Sequence, residues 1–579
     1  MKELKDERKY IRNKTPWRIA LAVSLSFFLF HFSSLYGEVV FSGGIQHDGL
    51  FPTVDVRDIR ANERGKWAKI DHLSNNYLDL ALTYFHRDSN AIGFTGVRVD
   101  ARGELTQWPL PGYESDFGGW GLSRLSAKTD FTWGHITLGD VYGQFGSGLI
   151  LSLYEDRALG VDNSLRGAKI ELSPYRGIGM MLIGGKQRRY WSCYEDHAWG
   201  WNYTRDAAMG ADLELSIDQW STAMQDKGIG LSLGGSYVSK YEAEDSILTI
   251  REGEIYMYRL PRWIGAGDLR ANLQVRGVDI LLEYAYKAND PTADNQYSYA
   301  HGDAFLASVS YSQKGLSVLA QIKRSENMSF RSERQRRGIA GRLNHMPAFA
   351  QQHTYTLAAL YPYATQYASG EWAFQAEVRN TWRRKTPMGG RYGTSLKIGG
   401  SHIRGLKTPG SWEVSYGKDG EYYTDVNIEL NKRITSRWWL NAMAMYQTYN
   451  QRIVEGEGEI IRSGIFVLDT KVAVTDNISM RGEAQYLCTR QHQGQWVFLL
   501  YELSLWNRLT ISGQWLYNIG GTPDATHEHY YTAAVTYTHG AHRLMAGYTK
   551  TREGYNCSGG VCRYVPRQEG VSMSYNFNW

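Results

Sequence analysis

From about residue 75 onward the chain alternates apolar and polar residues with a period of two. YLDLALTY places Leu78, Leu80, Leu82 and Tyr84 on one face and Asp79, Ala81 and Thr83 on the other. ADLELSI opposes Leu213, Leu215 and Ile217 to Asp212, Glu214 and Ser216, and ILLEYAYK opposes Ile280, Leu282, Tyr284 and Tyr286 to Glu283 and Lys287. The pattern recurs in WAFQAEVR (372–379), YTDVNIEL (423–430), ISMRGEAQYL (478–487) and RLTISGQW (508–515). A period of two is that of a strand with two different faces, so each segment predicts an amphipathic β-strand.

Between these segments, short joints alternate with longer polar ones. HRDSN (86–90), SQKG (312–315), NKRITS (431–436), TDN (475–477) and THG (538–540) are turn-like; 187–205, 240–250, 325–350, 449–460, 519–528 and 553–568 are long. Short turns on one side and long loops on the other are the signature of a transmembrane barrel. Strands of about 9–13 residues also suit a tilted crossing of the bilayer. The expectation is an all-β chain forming a transmembrane antiparallel β-barrel of about 24 strands (22–26). A soluble secreted β-protein fits less well, because the rows carry Tyr, Trp and Phe near strand ends, where membrane interfaces gather them. EVVFSGGIQHDG can form a first strand, but residues 38–75 otherwise lack steady alternation. The domain reading is therefore a leader over 1–37, an N-terminal strand and irregular segment over 38–75, and a barrel over 76–579.

Composition agrees. The 579 residues include 61 Gly, 40 Tyr and 19 Trp but only 13 Pro and 4 Cys, and the net charge is +5. Cations scattered among nearly as many acids give no basic stripe, so no nucleic-acid partner is expected. The basic start followed by IALAVSLSFFLFHF (19–32) and SSLYG reads as a signal peptide cut after Gly37, its apolar core being short for a membrane helix. In an exported chain, NCSGGVC predicts a disulfide between Cys557 and Cys562, while the pairing of Cys193 and Cys488 stays open.

The most distinctive stretch is GDVYGQFGSGLILSLYEDRALGVDNSLRGAKIE (139–171). GQFGSG lacks the Gly-Lys-Ser/Thr of a phosphate loop. Irregular backbone is tolerated at membrane depth only inside a barrel, so 141–163 is the candidate inward-folded, occluding segment, with Asp140, Tyr142, Phe145, Tyr154, Glu155, Asp156, Arg157 and Asp162 as its candidate lumen residues. The polar strand faces supply candidate lumen charges: Asp79, Glu214, Glu283, Glu377, Arg379, Asp425, Glu429, Arg481 and Glu483. A polar lumen needs no catalytic explanation. No catalytic residues, metal site or cofactor are expected, and the chain reads as a non-enzyme.

Three stretches, residues 139–167, MPAFAQQHTYTLAALYPYATQYASGEWAFQAEV (346–378) and GGRYGTSLKIGGSHIRG (389–405), resemble a family of Bacteroidota outer-membrane proteins of unknown function. The resemblance implies an outer-membrane barrel in a Gram-negative envelope and brings no catalytic residue or substrate. The chain ends in VSMSYNFNW, which aligns Tyr575, Phe577 and Trp579 on one strand face. The likeness to outer-membrane proteins implies that this aromatic-ended strand is the insertion signal read by the barrel-assembly machinery. The expected surroundings are outer-membrane lipid and that machinery. Without a recognisable N-terminal plug domain, a complete TonB-dependent receptor is not expected. Two functions stay open: a channel passing an unidentified solute, and a non-enzymatic accessory subunit docking other envelope proteins of a secretion, uptake or assembly machine.

Overall fold

Strand Gly37–Pro52 pairs antiparallel on one side with Leu73–His86 and on the other with the last strand, Gln568–Asn578, from Gly44↔Asn578 to Pro52↔Gly570. That second pairing closes the sheet. In the computed structural model, which describes residues 37–54, 70–86, 93–106, 108–114, 117–189, 205–243, 246–251, 254–336, 338–339, 341–417, 420–558 and 561–579, it completes an antiparallel barrel of 24 strands. The seam extends one residue beyond the ladder: Trp579 N–H donates to Gly43 O at 3.0 Å, and Gly43 N–H returns a bond to Trp579 O at 3.1 Å. Closure leaves no sheet edge, the condition under which strands can cross a membrane. Among the described residues no helix is long and apolar enough to do so.

Every strand follows its chain neighbour in a meander, so the connections fall alternately at the two ends. At one end, beside the longer joints 217–228 and 383–393, lie the short connections 132–133, 176–177, 276–277, 314–315, 434–437, 474–477, 506–508 and 540–541. Their backbone is that of tight hairpins: Arg276 and Gly277 both have positive φ (47° and 85°), as do Trp506 and Asn507 (52° and 55°). Both the first and the last strand have their outer termini at this short-turn end. The longer connections, among them 142–164, 288–301, 327–370, 405–420 and 552–567, belong to the other end.

The two faces of the wall follow the sequence alternation. Leu138, Leu269, Val426, Phe466 and Tyr501 point outward and are exposed, which suits a hydrocarbon surround. Aromatic residues gather at both ends of this apolar band: Trp133, Trp220, Trp438, Trp506 and Trp579 at the short-turn end, and Tyr237, Trp263, Tyr286, Tyr446, Tyr486 and Tyr531 toward the long-loop end. Indole and phenol rings favour the interface because one part is apolar and another hydrogen-bonds. Tyr575, Phe577 and Trp579 take their places in the outward row of the closing strand, with Phe577 stacked on His542 at 4.2 Å and on Trp579 at 5.3 Å. Ser574, facing inward, donates to Asp48 at 2.7 Å.

The barrel begins earlier than the alternation alone indicates. Gly37–Pro52 is a full wall strand and the second strand starts at Leu73, so residues 38–52 and 73–75 belong to the barrel wall, while 55–69 lie outside the described residues. The glycines of GGIQHDG obscure that strand's pattern; Gly43 has no side chain because the Trp579 indole lies 2.4 Å from where its Cβ would stand. The leader and Cys193 lie outside the described residues. Among the described residues Cys488 has no disulfide partner, and Cys557 and Cys562 form the expected disulfide across the hairpin Gly554–Ser558/Val561–Val565.

Candidate functional site

Among the described residues, two long-loop connections turn back into the barrel. The first, residues 142–164, joins strands Gly134–Val141 and Leu165–Tyr175, which are themselves paired through Val141↔Leu165. Its deepest part is GQFGSG. Phe145 is fully buried and its ring lies against Gly210 of the wall. Gly146 takes φ +49°, and a Cβ there would meet Glu283 Oε1 at 2.7 Å. The following amide, Ser147 N–H, donates to Glu283 Oε2 at 3.0 Å. These glycines serve a close approach of backbone to wall, not the cradling of a phosphate. Leu149, Ile150 and Leu151 complete an apolar plug, each buried side chain contributing about 1.5–3 kcal/mol relative to exposure.

The rest of this insert carries charge toward the first strands. Arg157 donates to Gln46 at 2.6 Å, Asp79 at 2.8 Å and Glu155 at 3.0 Å, and lies 4.5 Å over the Tyr77 ring. Arg102 of the wall joins Asp79 to Glu155. Tyr142 donates to Asp162, whose other oxygen accepts from buried Arg188 at 2.6 Å; Arg188 also pairs with Glu104. Asp156 caps Leu159 N–H at 3.1 Å. Tyr154 meets His345 edge-on, and Asp140 pairs with Arg166 while accepting from Leu125 N–H.

The second insert, residues 327–370, is larger and went unrecognised in the sequence, where 325–350 reads as an ordinary polar loop. It joins the adjacent strands Leu316–Glu326 and Glu371–Trp382. The two inserts share backbone hydrogen bonds, Ser152 N–H to Leu343 O at 2.7 Å and His345 N–H to Gly148 O at 3.0 Å, and Asn344 bridges Leu149 O and Met328 O. The chain then descends. Gln351 N–H donates to Ser401 at 2.9 Å, His353 Nε2 lies 2.8 Å from Asp425, and the Tyr355 hydroxyl accepts from Asn441 near the short-turn end. It climbs back through Leu357 N–H on Gln485, while Leu360 O accepts from Arg552.

Three wall lysines fix the second insert by its backbone. Lys240 and Lys287 donate to Arg331 O and Ser329 O, each at 2.7 Å, and Lys323 donates to Pro347 O. All three are fully buried. Carboxylates balance them: Glu242 and Asp290 around Lys240, and Glu371 at 2.6 Å from Lys323. Arg324–Asp303, Arg331–Asp294 and Arg334–Glu242 add further pairs beside the insert. Buried charges are tolerable only when paired in this way. The inward-facing lysine at the loop end of each strand was the available sequence signal, visible only once the register was known.

Toward the short-turn end the lumen opens to water. The side chains of Glu214 and Arg379 are 51% and 53% exposed, and Glu377, Glu429, Arg481 and Glu483 line the same inward surface. Here Lys397 pairs with Glu429 at 2.7 Å, and Arg481 binds Asp469, Glu483 and Glu502. The candidate lumen charges thus divide. Asp79, Glu283 and Asp425 hold inserts; Glu214, Glu377, Arg379, Glu429 and Arg481 edge the wet half, and Glu483 is buried beside it against Arg481. Among the described residues, the lumen is filled toward the long loops and lined by partly exposed charges toward the short turns.

This geometry defines a closed 24-stranded barrel whose lumen is occluded by two of its own hairpin loops. The chain belongs to a family of unknown function (DUF6029), whose model matches residues 17–579. No curated protein matches it in sequence. Among solved structures it is similar to the siderophore receptor PirA from Pseudomonas aeruginosa (9% identity, 93% of this chain and 80% of that one, TM-score 0.41). It is also similar to OccAB2 from Acinetobacter baumannii (9%, 95% and 98%, TM-score 0.34) and to the P pilus usher PapC translocation pore (9%, 93% and 99%, TM-score 0.36).

Proposed function

We propose that the protein is an outer-membrane channel for a small polar solute, closed at rest by inserts 142–164 and 327–370. The observation that carries this reading is the division of the lumen into a dry, plugged half and a wet half lined by charges of both signs. The inserts are loops between strands already paired with each other, so they can move or be removed without breaking the sheet. The apolar outer wall with two aromatic girdles supports placement in the outer membrane.

A second reading, an accessory subunit that docks another envelope protein, is favoured by one feature. The hairpin Ser246–Arg251/Glu254–Arg259 at the long-loop end leaves Leu248, Ile255 and Met257 exposed on one face, with Leu248 opposite Met257 in register. Planar-bilayer recording separates the two. A channel closed by its inserts conducts once both are replaced by short turns; a scaffold stays silent, and its function instead depends on the hairpin face.

A further inference from the structure

The wet half of the lumen contains a recess beside the tip of the second insert. It lies at the short-turn mouth, has a volume of about 410 Å³, and is bounded by Tyr392, Asn431, Arg433, Trp439, Asn441 and Lys471. Three of these form one cross-strand row on the inward face: Arg433 stands opposite Trp439, and Trp439 opposite Lys471. The Arg433 guanidinium lies 4.9 Å from the Trp439 ring centroid and 5.5 Å from that of Tyr392. A second row, one step deeper, brings together Ser395, Asn431, Asn441 and Asp469.

Two cations here lack a carboxylate. Nearby acids are already engaged, Asp469 with Arg481 at 3.0 and 3.1 Å and Glu429 with Lys397 at 2.7 Å. Arg433 donates only to the backbone carbonyls of Thr435 and Ser436, and among the described residues Lys471 has no ion pair. Arg391 and the exposed Arg383, Arg384 and Lys385 of the adjoining turn add positive charge at the same mouth. Trp439 is 38% exposed, although it faces the polar lumen and not the lipid. An indole partly open to water, with Arg433 beside its ring and Lys471 as its cross-strand neighbour, presents an apolar plate flanked by positive charge. The tip of the second insert meets the edge of the recess, where Asn441 also donates to the Tyr355 hydroxyl.

We infer that this recess binds an anionic saccharide, a sugar ring bearing a carboxylate or a phosphate. The C–H face of a pyranose covers the Trp439 ring, Arg433 and Lys471 take the anionic group, and Asn431, Asn441 and Ser395 meet the hydroxyls. Arg suits planar bidentate anion recognition and Lys supplies a point charge. Few convergent polar groups beside an apolar surface, in a volume of this size, are what a small-ligand site requires. The inference names a solute class for the channel reading but does not depend on passage, because binding is measured without a membrane potential or flux.

The test is isothermal titration of the full chain in detergent with glucuronic acid, glucose 6-phosphate and glucose. The site predicts binding of both anionic sugars, with glucose at least tenfold weaker. Lys471→Gln and Trp439→Leu each weaken the anionic sugars by tenfold or more, and Lys471→Arg restores most of the affinity. Each variant's fold is checked by heat-modifiable migration on a gel, and Arg433→Gln gives an independent third variant. Equal binding of glucose, full competition by acetate or inorganic phosphate alone, or unchanged affinity in folded variants would each overturn the inference.

Discussion

The backbone amide of Ser147 donates to the Glu283 carboxylate at 3.0 Å, tying the deepest turn of the first insert to the middle of a wall strand. Glu283 is buried, and the insert reaches it only because Gly146 accepts a left-handed backbone. Glu283→Ala removes the acceptor and leaves the amide unpaired, at about 1–3 kcal/mol. Gly146→Ala adds backbone strain and a clash, together on the order of 1–2 kcal/mol. Both should make residues 142–164 sensitive to added protease while the barrel stays heat-modifiable.

The buried pair Lys323–Glu371 joins the two strands that carry the second insert. Lys323→Met leaves a buried carboxylate uncompensated, at roughly 3–5 kcal/mol. The expected result is a clear fall in thermal midpoint in detergent. The double variant Lys323→Met/Glu371→Gln keeps an acceptor for Gln366 N–H without the charge and should recover more than half of the loss.

Removing Trp579 eliminates the two Trp579–Gly43 backbone bonds that extend the seam beyond its ladder, and one ring of the outward aromatic row. Cells producing the truncated chain should contain less of the compact, heat-modifiable form than cells producing the full chain. Phe577→Ala should do the same, since Phe577 is the middle ring of the outward row that we propose the assembly machinery reads.

Replacing Cys557 and Cys562 with Ser opens a loop whose ends are five residues apart. Chain-entropy arguments give about 2 kcal/mol for so short a loop. Because the hairpin 554–565 lies outside the barrel sheet, amide exchange should accelerate within it while the thermal midpoint of the barrel is unchanged.

Much of this was legible in the residues, for a physical reason. A wall strand meets lipid on one face and the lumen on the other, so YTDVNIEL or RLTISGQW records both environments at period two. The strand number, the outward row of Tyr575, Phe577 and Trp579, and the inward charges Asp79, Glu283 and Asp425 all follow from that alternation. The first insert was marked by glycines where backbone must approach the wall. The second was not. Its apolar residues, Met346, Phe349, Leu357 and Tyr361, pack against wall residues from many strands, so no local period records them, and its polar residues read as a surface loop. Lys240, Lys287 and Lys323 became informative only when the register placed them beside it. The Arg433–Trp439–Lys471 row was hidden likewise, because three positions on three strands form a row only after the sheet is assembled.

The central claim is that inserts 142–164 and 327–370 hold an intrinsically open barrel closed. Single-channel recording in planar bilayers tests it directly, comparing the full chain with a variant in which both inserts are replaced by short turns. The account predicts near-silence from the full chain and large, steady conductance from the variant. A folded variant that remains silent, or a full chain that already conducts as strongly, would contradict it.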